Sequence, residues 1–135
     1  MPALEKLSVL IVSWNGRHHL EECLVPLPEQ RRGAGAAVEV LVLDNGSTDG
    51  TVDWLARRFP EVLVVVSASN LGFAAGNNRL AREASGDLLL LLNNDTRPDS
   101  HLLAAFVESW RSAPADVAAL AGRLTDWDGQ RLDFG

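Results

Sequence analysis

The sequence predicts an α/β protein, a three-layer α/β/α arrangement around a mainly parallel central sheet. Three observations carry that reading. Apolar runs alternate with segments of helical spacing in the order β-α-β-α-β-α-β-α-β, and such alternation builds a parallel sheet with helices on both faces. The greasiest run, Leu88 to Leu92, suits a strand buried on both faces of such a sheet. Every run that ends cleanly ends in polar residues: Ser13-Trp14-Asn15, Asp44-Asn45, Ser67 to Asn70, and Asn93-Asn94-Asp95. In a parallel sheet all those ends share one edge. With 135 residues and 47% hydrophobic content, the chain fits one domain with a full core.

The elements follow in order. Leu7-Ser8-Val9-Leu10-Ile11-Val12-Ser13-Trp14 is the first strand, rich in β-branched and apolar residues. Asn15-Gly16 breaks it. The first helix places Leu20, Cys23, Leu24 and Leu27 at helical spacing, and Pro26 and Pro28 end or distort it. Gln30 to Ala37 reads as a Gly/Ala-rich loop with two solvated arginines, Arg31 and Arg32. Val38 to Asp44 is the second strand, closing on Asn45-Gly46-Ser47-Thr48-Asp49-Gly50, a dense cluster of turn formers. The second helix runs from Thr51 to Phe59, buries Trp54, Leu55 and Phe59, takes Asp49 or Thr51 as its cap, and stops at Pro60. Val62 to Val66 is the third strand. A loop from Ser67 to Gly76 leads to a third helix over Asn77 to Ala84. The Leu88 run is the fourth strand, bounded by the turn signals Ser85-Gly86-Asp87 and Thr96-Arg97-Pro98. The fourth helix spans Ser100 to Arg111, capped by Asp99 or Ser100, with Leu102, Leu103, Phe106, Val107 and Trp110 facing in. Val117 to Leu120 reads as a fifth strand or its edge. Thr125 to Gly135 reads as an unfinished hairpin, which suggests a piece of a longer protein.

Composition narrows the function. A net charge of −6 argues against a general nucleic-acid-binding surface, but not against a nucleotide whose charge a metal ion offsets. Cys23 is the only cysteine; it reads as a small core residue, and one cysteine permits neither an intramolecular disulfide nor a Cys-rich metal site. A reducing compartment is expected. The apolar stretches Leu7 to Trp14 and Leu88 to Leu92 are too short for a secretory or membrane segment, so a membrane-associated segment would lie beyond residue 135. His18, His19 and His101 read as surface residues without ligand spacing. Gly72-x-x-x-Gly76 lacks the Gly-Lys-Ser/Thr ending of a phosphate-binding loop, and no Gly-x-Gly-x-x-Gly follows the first strand. There is no Gly-x-Ser-x-Gly elbow. Lys6 is the only lysine, so Asp44, Asp49 and Asp95 lack the late-strand lysine that a phosphorylated receiver would need. A nucleotidyltransferase would need a Gly-rich basic loop where Asn15-Gly16-Arg17 stands.

In strand order 3-2-1-4, the first and fourth strands flank the topological switch point, where open α/β sheets bind ligands. Ser13 and Asn15 then lie beside Asn93 and Asp95, with Asp44 one strand further along. The result is a polar crevice with two carboxylates over a hydrophobic floor, and each component suits a nucleoside diphosphate. Asp44 either accepts a hydrogen bond from a base N–H, such as N3 of uracil or thymine, or closes an Asx-turn; both readings stand. Asn45, Gly46, Ser47 and Thr48 present backbone N–H groups to a ligand or stabilise the loop. Gly72 and Gly76 allow close backbone approach or positive φ. Asn77 and Asn78 are placed to point into the crevice, while Arg79 is a solvated helix arginine unless it reaches a phosphate. Asn93 and Asp95 offer hard oxygens, as Mg²⁺ or Mn²⁺ on a substrate phosphate needs. The plain alternative is a strand-to-helix turn.

Four stretches taken together resemble the nucleotide-binding half of a family 2 glycosyltransferase with the GT-A fold. They are Val9 to Gly16, Val40 to Thr51 with its Asp44-Asn45-Gly46-Ser47-Thr48-Asp49-Gly50 core, Asn70-Leu71-Gly72-Phe73-Ala74-Ala75-Gly76-Asn77, and Leu91-Leu92-Asn93-Asn94-Asp95. They stand in the family's order and spacing and cover residues 7 to 99. Asn-Gly after the first strand, Gly-Phe-Ala in the third loop and Asn-Asn-Asp resemble the rhamnosyltransferase-like branch, which implies dTDP-rhamnose or a UDP-sugar as donor.

The resemblance implies an inverting glycosyltransferase of hexosyltransferase type. It would move a sugar from a nucleotide-diphosphate donor to a glycan or lipid-linked acceptor, assisted by Mg²⁺ or Mn²⁺, in cell-envelope polysaccharide biosynthesis. The implied location is the cytoplasm, at the inner face of the membrane if regions outside this chain bind its surface. Position by position, Ser13, Trp14 and Asn15 would line the nucleoside pocket, and Asp44 would hold the base with Asn45 and Ser47 beside it. Asn70, Gly72, Gly76 and Asn77 would belong to the segment that closes over the donor. Asn93 and Asp95 stand at the ends of the family's Asp-x-Asp motif, with Asn94 between them, and Asp95 would ligate the cation. Asn93 stands where the family often has Asp, and an amide brings no charge, so weaker metal binding is expected. The family's general base comes from its second half, with most of the acceptor site. Asp126, Asp128 and Asp133 lie too early to match it, so the base and the acceptor-binding part are expected beyond residue 135. Residues 1–135 would then be one nucleotide-sugar-binding part, inactive alone, whose exposed face self-association could cover. A non-catalytic binding module is the competing expectation.

Overall fold

The computed structural model describes residues 4–132. Four strands, β1 (Lys6–Ser13), β2 (Ala37–Asp44), β3 (Leu63–Val66) and β4 (Leu88–Leu91), form one parallel sheet in the order β3-β2-β1-β4. Five helices connect and follow them: α1 (Arg17–Leu24), α2 (Leu27–Gly33), α3 (Thr51–Arg58), α4 (Phe73–Glu83) and α5 (Leu102–Ser112). The expected strand order is the observed one. Among the described residues, no helix is long and apolar enough to cross a membrane.

Handedness explains the layers. From β1 through β2 to β3 the chain steps one way along the sheet, so right-handed crossovers put α1, α2 and α3 on one face. From β3 to β4 it steps back past two strands, so the same rule puts α4 on the other face. The larger core packs Val9, Ile11, Val40 and Val42 against Leu20, Leu24, Leu55, Leu103 and Val107. The smaller core packs Leu10, Leu41 and Leu43 against Leu80 of α4. Gly76 makes the second approach possible: a Cβ there would meet Leu43 at 3.0 Å and Val12 at 3.1 Å.

Several elements depart from the sequence reading. Pro26 and Pro28 end one helix by starting another. Pro26 is the N-cap of α2, where a missing N–H costs nothing, so helix replaces the first half of the expected loop from Gln30 to Ala37. The third crossover helix begins at Phe73, not Asn77, with Gly72 at φ 81° as its N-cap. The expected fifth strand over Val117 to Leu120 is irregular chain. The expected terminal hairpin is a turn closed by one antiparallel bridge, Thr125 to Leu132; Asp133, Phe134 and Gly135 lie outside the described residues. The Leu88 run is not buried on both faces either. β4 is the sheet's edge, and α4 lies over β1 and β2 instead. Leu90 is buried, but Leu89 and Leu91 are 38% and 53% exposed.

At the amino-terminal end of the sheet a polar latch joins β1, β2 and the approach to β4. The Glu39 carboxylate accepts from the Ser8 hydroxyl at 2.6 Å and the Ser85 N–H at 2.7 Å, and pairs with the Lys6 ammonium at 2.7 Å. Asp87 accepts the N–H groups of Glu5 and Lys6, both at 3.0 Å. Burial opposes the Glu39 charge, but the Lys6, Ser8 and Ser85 donors outweigh it and bring the carboxyl from 4.5 to about 2.

Candidate functional site

The carboxyl ends of the strands gather the polar residues, as the sequence predicts, and four loops meet there. Ser13 and Asp44 are opposite one another in the β1–β2 register, and Val66 is next in line on β3. Asp44 is 2% exposed. Its Oδ2 accepts the Ser47 N–H at 3.1 Å, which is the turn-closing role. Its Oδ1 is buried with no hydrogen-bond partner among the described residues. The turn-closing reading is therefore borne out by one oxygen, and the other is left without a protein partner.

Around that carboxylate the loops are tied to each other. Asn15 adopts φ 47°, a left-handed conformation that an L-residue holds only when its surroundings fix it. Its N–H donates to Ser47 Oγ at 2.9 Å, and its Oδ1 accepts the Thr48 N–H at 2.8 Å. Asn45, 2% exposed, reaches the next loop. Its Nδ2 donates to Asn70 Oδ1 at 2.9 Å and to the Gly72 carbonyl at 3.3 Å, and its Oδ1 accepts the Leu71 N–H at 2.8 Å. Asn70 Oδ1 also accepts the Gly72 N–H at 2.8 Å. On the far side Asn94 Nδ2 donates to Ser13 Oγ at 3.2 Å. Gly16 leaves the room for that contact, since a Cβ there would overlap Asn94 Nδ2 and Ser13 Oγ. The N-cap of α3 is Gly50, at φ 77°, rather than the expected Asp49 or Thr51; Asp49, one residue before it, accepts the Thr51 N–H at 3.1 Å. Burial opposes the Asp49 charge, yet the Thr51 hydroxyl and the Arg17 and Thr51 N–H groups prevail and lower its carboxyl.

These contacts sort the expected site residues. Asn15, Asn45, Ser47, Asn70 and Asn94 are brought together, but their side chains are engaged in tying the loops. Gly76 and Asn77 are not part of the crevice: Gly76 is the close-packing point of α4, and buried Asn77 donates to the Phe73 carbonyl of its own helix at 3.0 Å. Asn78 is exposed and Arg79 half-buried. Trp14 is 56% exposed at the end of β1. Asn93 and Asp95 are exposed, and among the described residues neither side chain has a hydrogen-bond partner.

The Asn93 to Asp95 segment is braced from below. Cys23 of α1 donates its S–H to the Asn93 carbonyl at 3.6 Å, and the Thr96 hydroxyl donates to the same oxygen at 2.7 Å. Burial first, offset by the Thr96 contact and reinforced by the Asp95 charge, pushes the Cys23 thiol up to about 12. It is a neutral packing group. Sequence reasoning missed this brace, because Cys23 and Asn93 are 70 positions apart. It also missed Arg97, whose Nη2 donates to the Trp127 carbonyl at 3.1 Å.

The donor set fits a hard divalent cation of the substrate-bridging kind. Mg²⁺ and Mn²⁺ take one or two carboxylates and complete their shells with phosphate oxygens and water. Asp95 is an exposed, unpartnered carboxylate with the free amide of Asn93 two residues before it. Among the described residues no three His, Cys, Asp or Glu gather into a cage of their own, so substrate oxygens and water would supply the remaining ligands.

Comparison with known proteins agrees with this geometry. Residues 8–132 match the sequence model of Glycosyl transferase family 2. An uncharacterized glycosyltransferase of Bacillus subtilis is 33% identical over 107 residues, which cover 77% of this chain and 26% of that protein. An N-acetylglucosaminyl-diphospho-decaprenol L-rhamnosyltransferase of Mycobacterium tuberculosis is 37% identical over 73 residues, 54% of this chain and 23% of that protein. Among solved structures, the mannosyltransferase of Pyrobaculum calidifontis in complex with GDP-Man and Mn²⁺ superposes with a TM-score of 0.65 at 28% identity, over 80% of this chain and 32% of that one. The chain spans about a quarter of the length of the two curated relatives.

Proposed function

This chain belongs to glycosyl transferase family 2, and from that premise we propose that it forms the donor-binding part of an inverting glycosyltransferase. The donor is a nucleotide-diphosphate sugar with a pyrimidine base, and the acceptor is a glycan or lipid-linked saccharide. The observation that carries the reading is the Asp44 carboxylate, buried at the carboxyl end of β2 with one oxygen unpartnered. Such an oxygen is costly unless a donor arrives, by about 1–3 kcal/mol. The N3–H of uracil or thymine is a donor of the right kind. Guanine also offers an N–H, so the base preference is the part most open to test. The relative named a rhamnosyltransferase supports a deoxysugar donor.

The residues of this chain would then act as follows. Asp44 accepts the base N–H. The exposed Trp14 ring lies against the nucleoside. The loop ties made by Asn15, Asn45, Asn70 and Asn94 keep the crevice in its binding shape before the donor arrives, which lowers the ordering cost of binding. Asp95, with Asn93 beside it, would hold Mg²⁺ or Mn²⁺. Bound there, the cation would offset the charge that develops on the departing diphosphate. The acceptor hydroxyl displaces the nucleoside diphosphate from the opposite face of the sugar, with inversion, and its proton goes to a general base beyond residue 135.

Calorimetric titration with dTDP, UDP and GDP, each with and without Mn²⁺, tests the reading. Metal-enhanced binding of a pyrimidine diphosphate is the expected result, with dTDP above UDP for a deoxysugar donor. Failure of all three nucleotides to bind would overturn it.

A further inference from the structure

We propose that the exposed indole of Trp127 is a binding platform for a pyranose ring of the acceptor, held at the metal-binding end of the crevice by Arg97. The acceptor assignment rests on the donor reading above; the platform itself rests on separate observations. The first is a tether. Arg97 stands two residues beyond Asp95, donates to the Trp127 carbonyl at 3.1 Å, and places its guanidinium 5.0 Å from the centre of the Trp127 ring. A single arginine side chain thus fixes the indole beside the segment proposed to hold the cation.

The second observation is that the turn bearing Trp127 is built to be rigid. Asp126 N–H donates to the Arg131 carbonyl at 2.9 Å, and Gly129 N–H to the Asp126 carbonyl at 2.9 Å. The Asp126 carboxylate accepts the N–H of Gln130 at 2.9 Å and of Arg131 at 3.3 Å, and the Thr125–Leu132 bridge closes the base. An aromatic side chain presented from so ordered a turn loses little freedom on binding. Yet Trp127 remains 56% exposed, although no core packing demands a tryptophan there.

The third observation is the company it keeps. Asp128 follows it and Gln130 stands two residues further along the same turn, both exposed, and neither side chain has a hydrogen-bond partner among the described residues. A pyranose presents a face of C–H groups and a rim of hydroxyls. The C–H face is apolar and slightly positive, which suits the negative face of an indole. The rim suits a carboxylate and an amide. The acceptor must also approach the sugar carbon attached to the donor diphosphate, and Arg97, which contacts Trp127, stands two residues beyond Asp95.

The test is saturation-transfer NMR on the full chain with methyl α-L-rhamnopyranoside and methyl N-acetyl-β-D-glucosaminide. Glycerol serves as the polyol without a ring. We expect saturation on the ring C–H protons of at least one glycoside and not on glycerol. Trp127→Phe is expected to keep at least half of it, Trp127→Ala to lose at least fivefold, and Arg97→Ala, which leaves the indole but not its tether, at least threefold. UDP affinity should stay within twofold in all three variants, which shows that each is folded. Unchanged transfer in Trp127→Ala, or none in the wild type, would overturn the platform. Glycoside transfer that needs Trp127 in a chain that binds no nucleotide would uphold the sugar platform and overturn the donor reading alone.

Discussion

Asp44 and Asp95 are both carboxylates at the end of a strand, but their surroundings set different tasks. Asp44 is buried with one oxygen committed to Ser47 and one without a partner; Asp95 is exposed. Removing Asp44 takes away the acceptor we propose for the base, whatever happens at the phosphates. We expect Asp44→Ala to weaken dTDP or UDP binding at least tenfold with and without Mn²⁺, the size of one charge-assisted hydrogen bond of about 1.5–3 kcal/mol. Asp95→Ala should leave metal-free binding within twofold and abolish the Mn²⁺ enhancement. Calorimetry on the two variants separates the tasks, and equal losses in both columns would refute the division. Asn45 is different again. Its three bonds to residues 70–72 make it a positioning residue, and Asn45→Ala should cost about 1–3 kcal/mol in urea unfolding by leaving buried groups unpaired. The sequence already showed which residue types converge. It could not show that Asn15, Asn45 and Asn94 would bind neighbouring loops, because an amide next to a turn suits either a ligand or another loop. The geometry of all four loops decides between them.

At the scale of elements, the strand order and the crossover pattern were legible because both follow from chain alternation and handedness. Helix boundaries were less so. α4 begins at Phe73 because Gly72 can take φ 81° and serve as an N-cap without a side chain, a signal indistinguishable in sequence from a flexible loop. α2 was hidden by Pro28 and by the run of glycines and alanines from Gly33 to Ala37 that reads as loop. β4 misled for another reason: a leucine run fixes what a strand wants to bury, not whether this chain supplies the cover. Leu89 and Leu91 remain exposed because α4 packs over β1 and β2. The closeness of that packing makes α4 a test case. Gly76→Val would push a side chain into Val12 and Leu43, which a Cβ alone meets at 3.1 and 3.0 Å. We expect a loss of about 1–3 kcal/mol by overpacking, with nucleotide affinity falling as well, since α4 carries Gly72, the far end of the Asn45 ties. A variant as stable as the wild type would mean that α4 lifts away without strain.

Across the whole molecule, the sheet divides its labour between its two ends. The carboxyl end leaves Asp44 Oδ1 and the Asp95 side chain without partners among the described residues, while the amino end pairs Glu39 and Asp87 and so holds β1, β2 and the approach to β4 in register. Acid should therefore weaken the fold mainly through the amino end, with Asp49 at the carboxyl end adding to the loss. The Glu39 carboxyl lies at about 2 in the folded chain against 4.5 ordinarily, and those of Asp87 and Asp49 are also lowered, Asp87 by the N–H groups of Glu5 and Lys6. A carboxyl lowered by folding binds its proton more readily in the unfolded chain. The stability it contributes is then complete above pH 4.5 and lost as pH falls towards 2. We expect the thermal midpoint to fall across that interval and to change little from pH 5 to 7. Glu39→Gln keeps the shape but removes the charge that Lys6 and the donors of Ser8 and Ser85 select for. It should unfold at a lower temperature at pH 6 and lose less on acidification, the two curves converging near pH 2. Parallel curves would mean that the latch is held by its hydrogen bonds alone, and that the acid sensitivity of the fold belongs to Asp49 and Asp87.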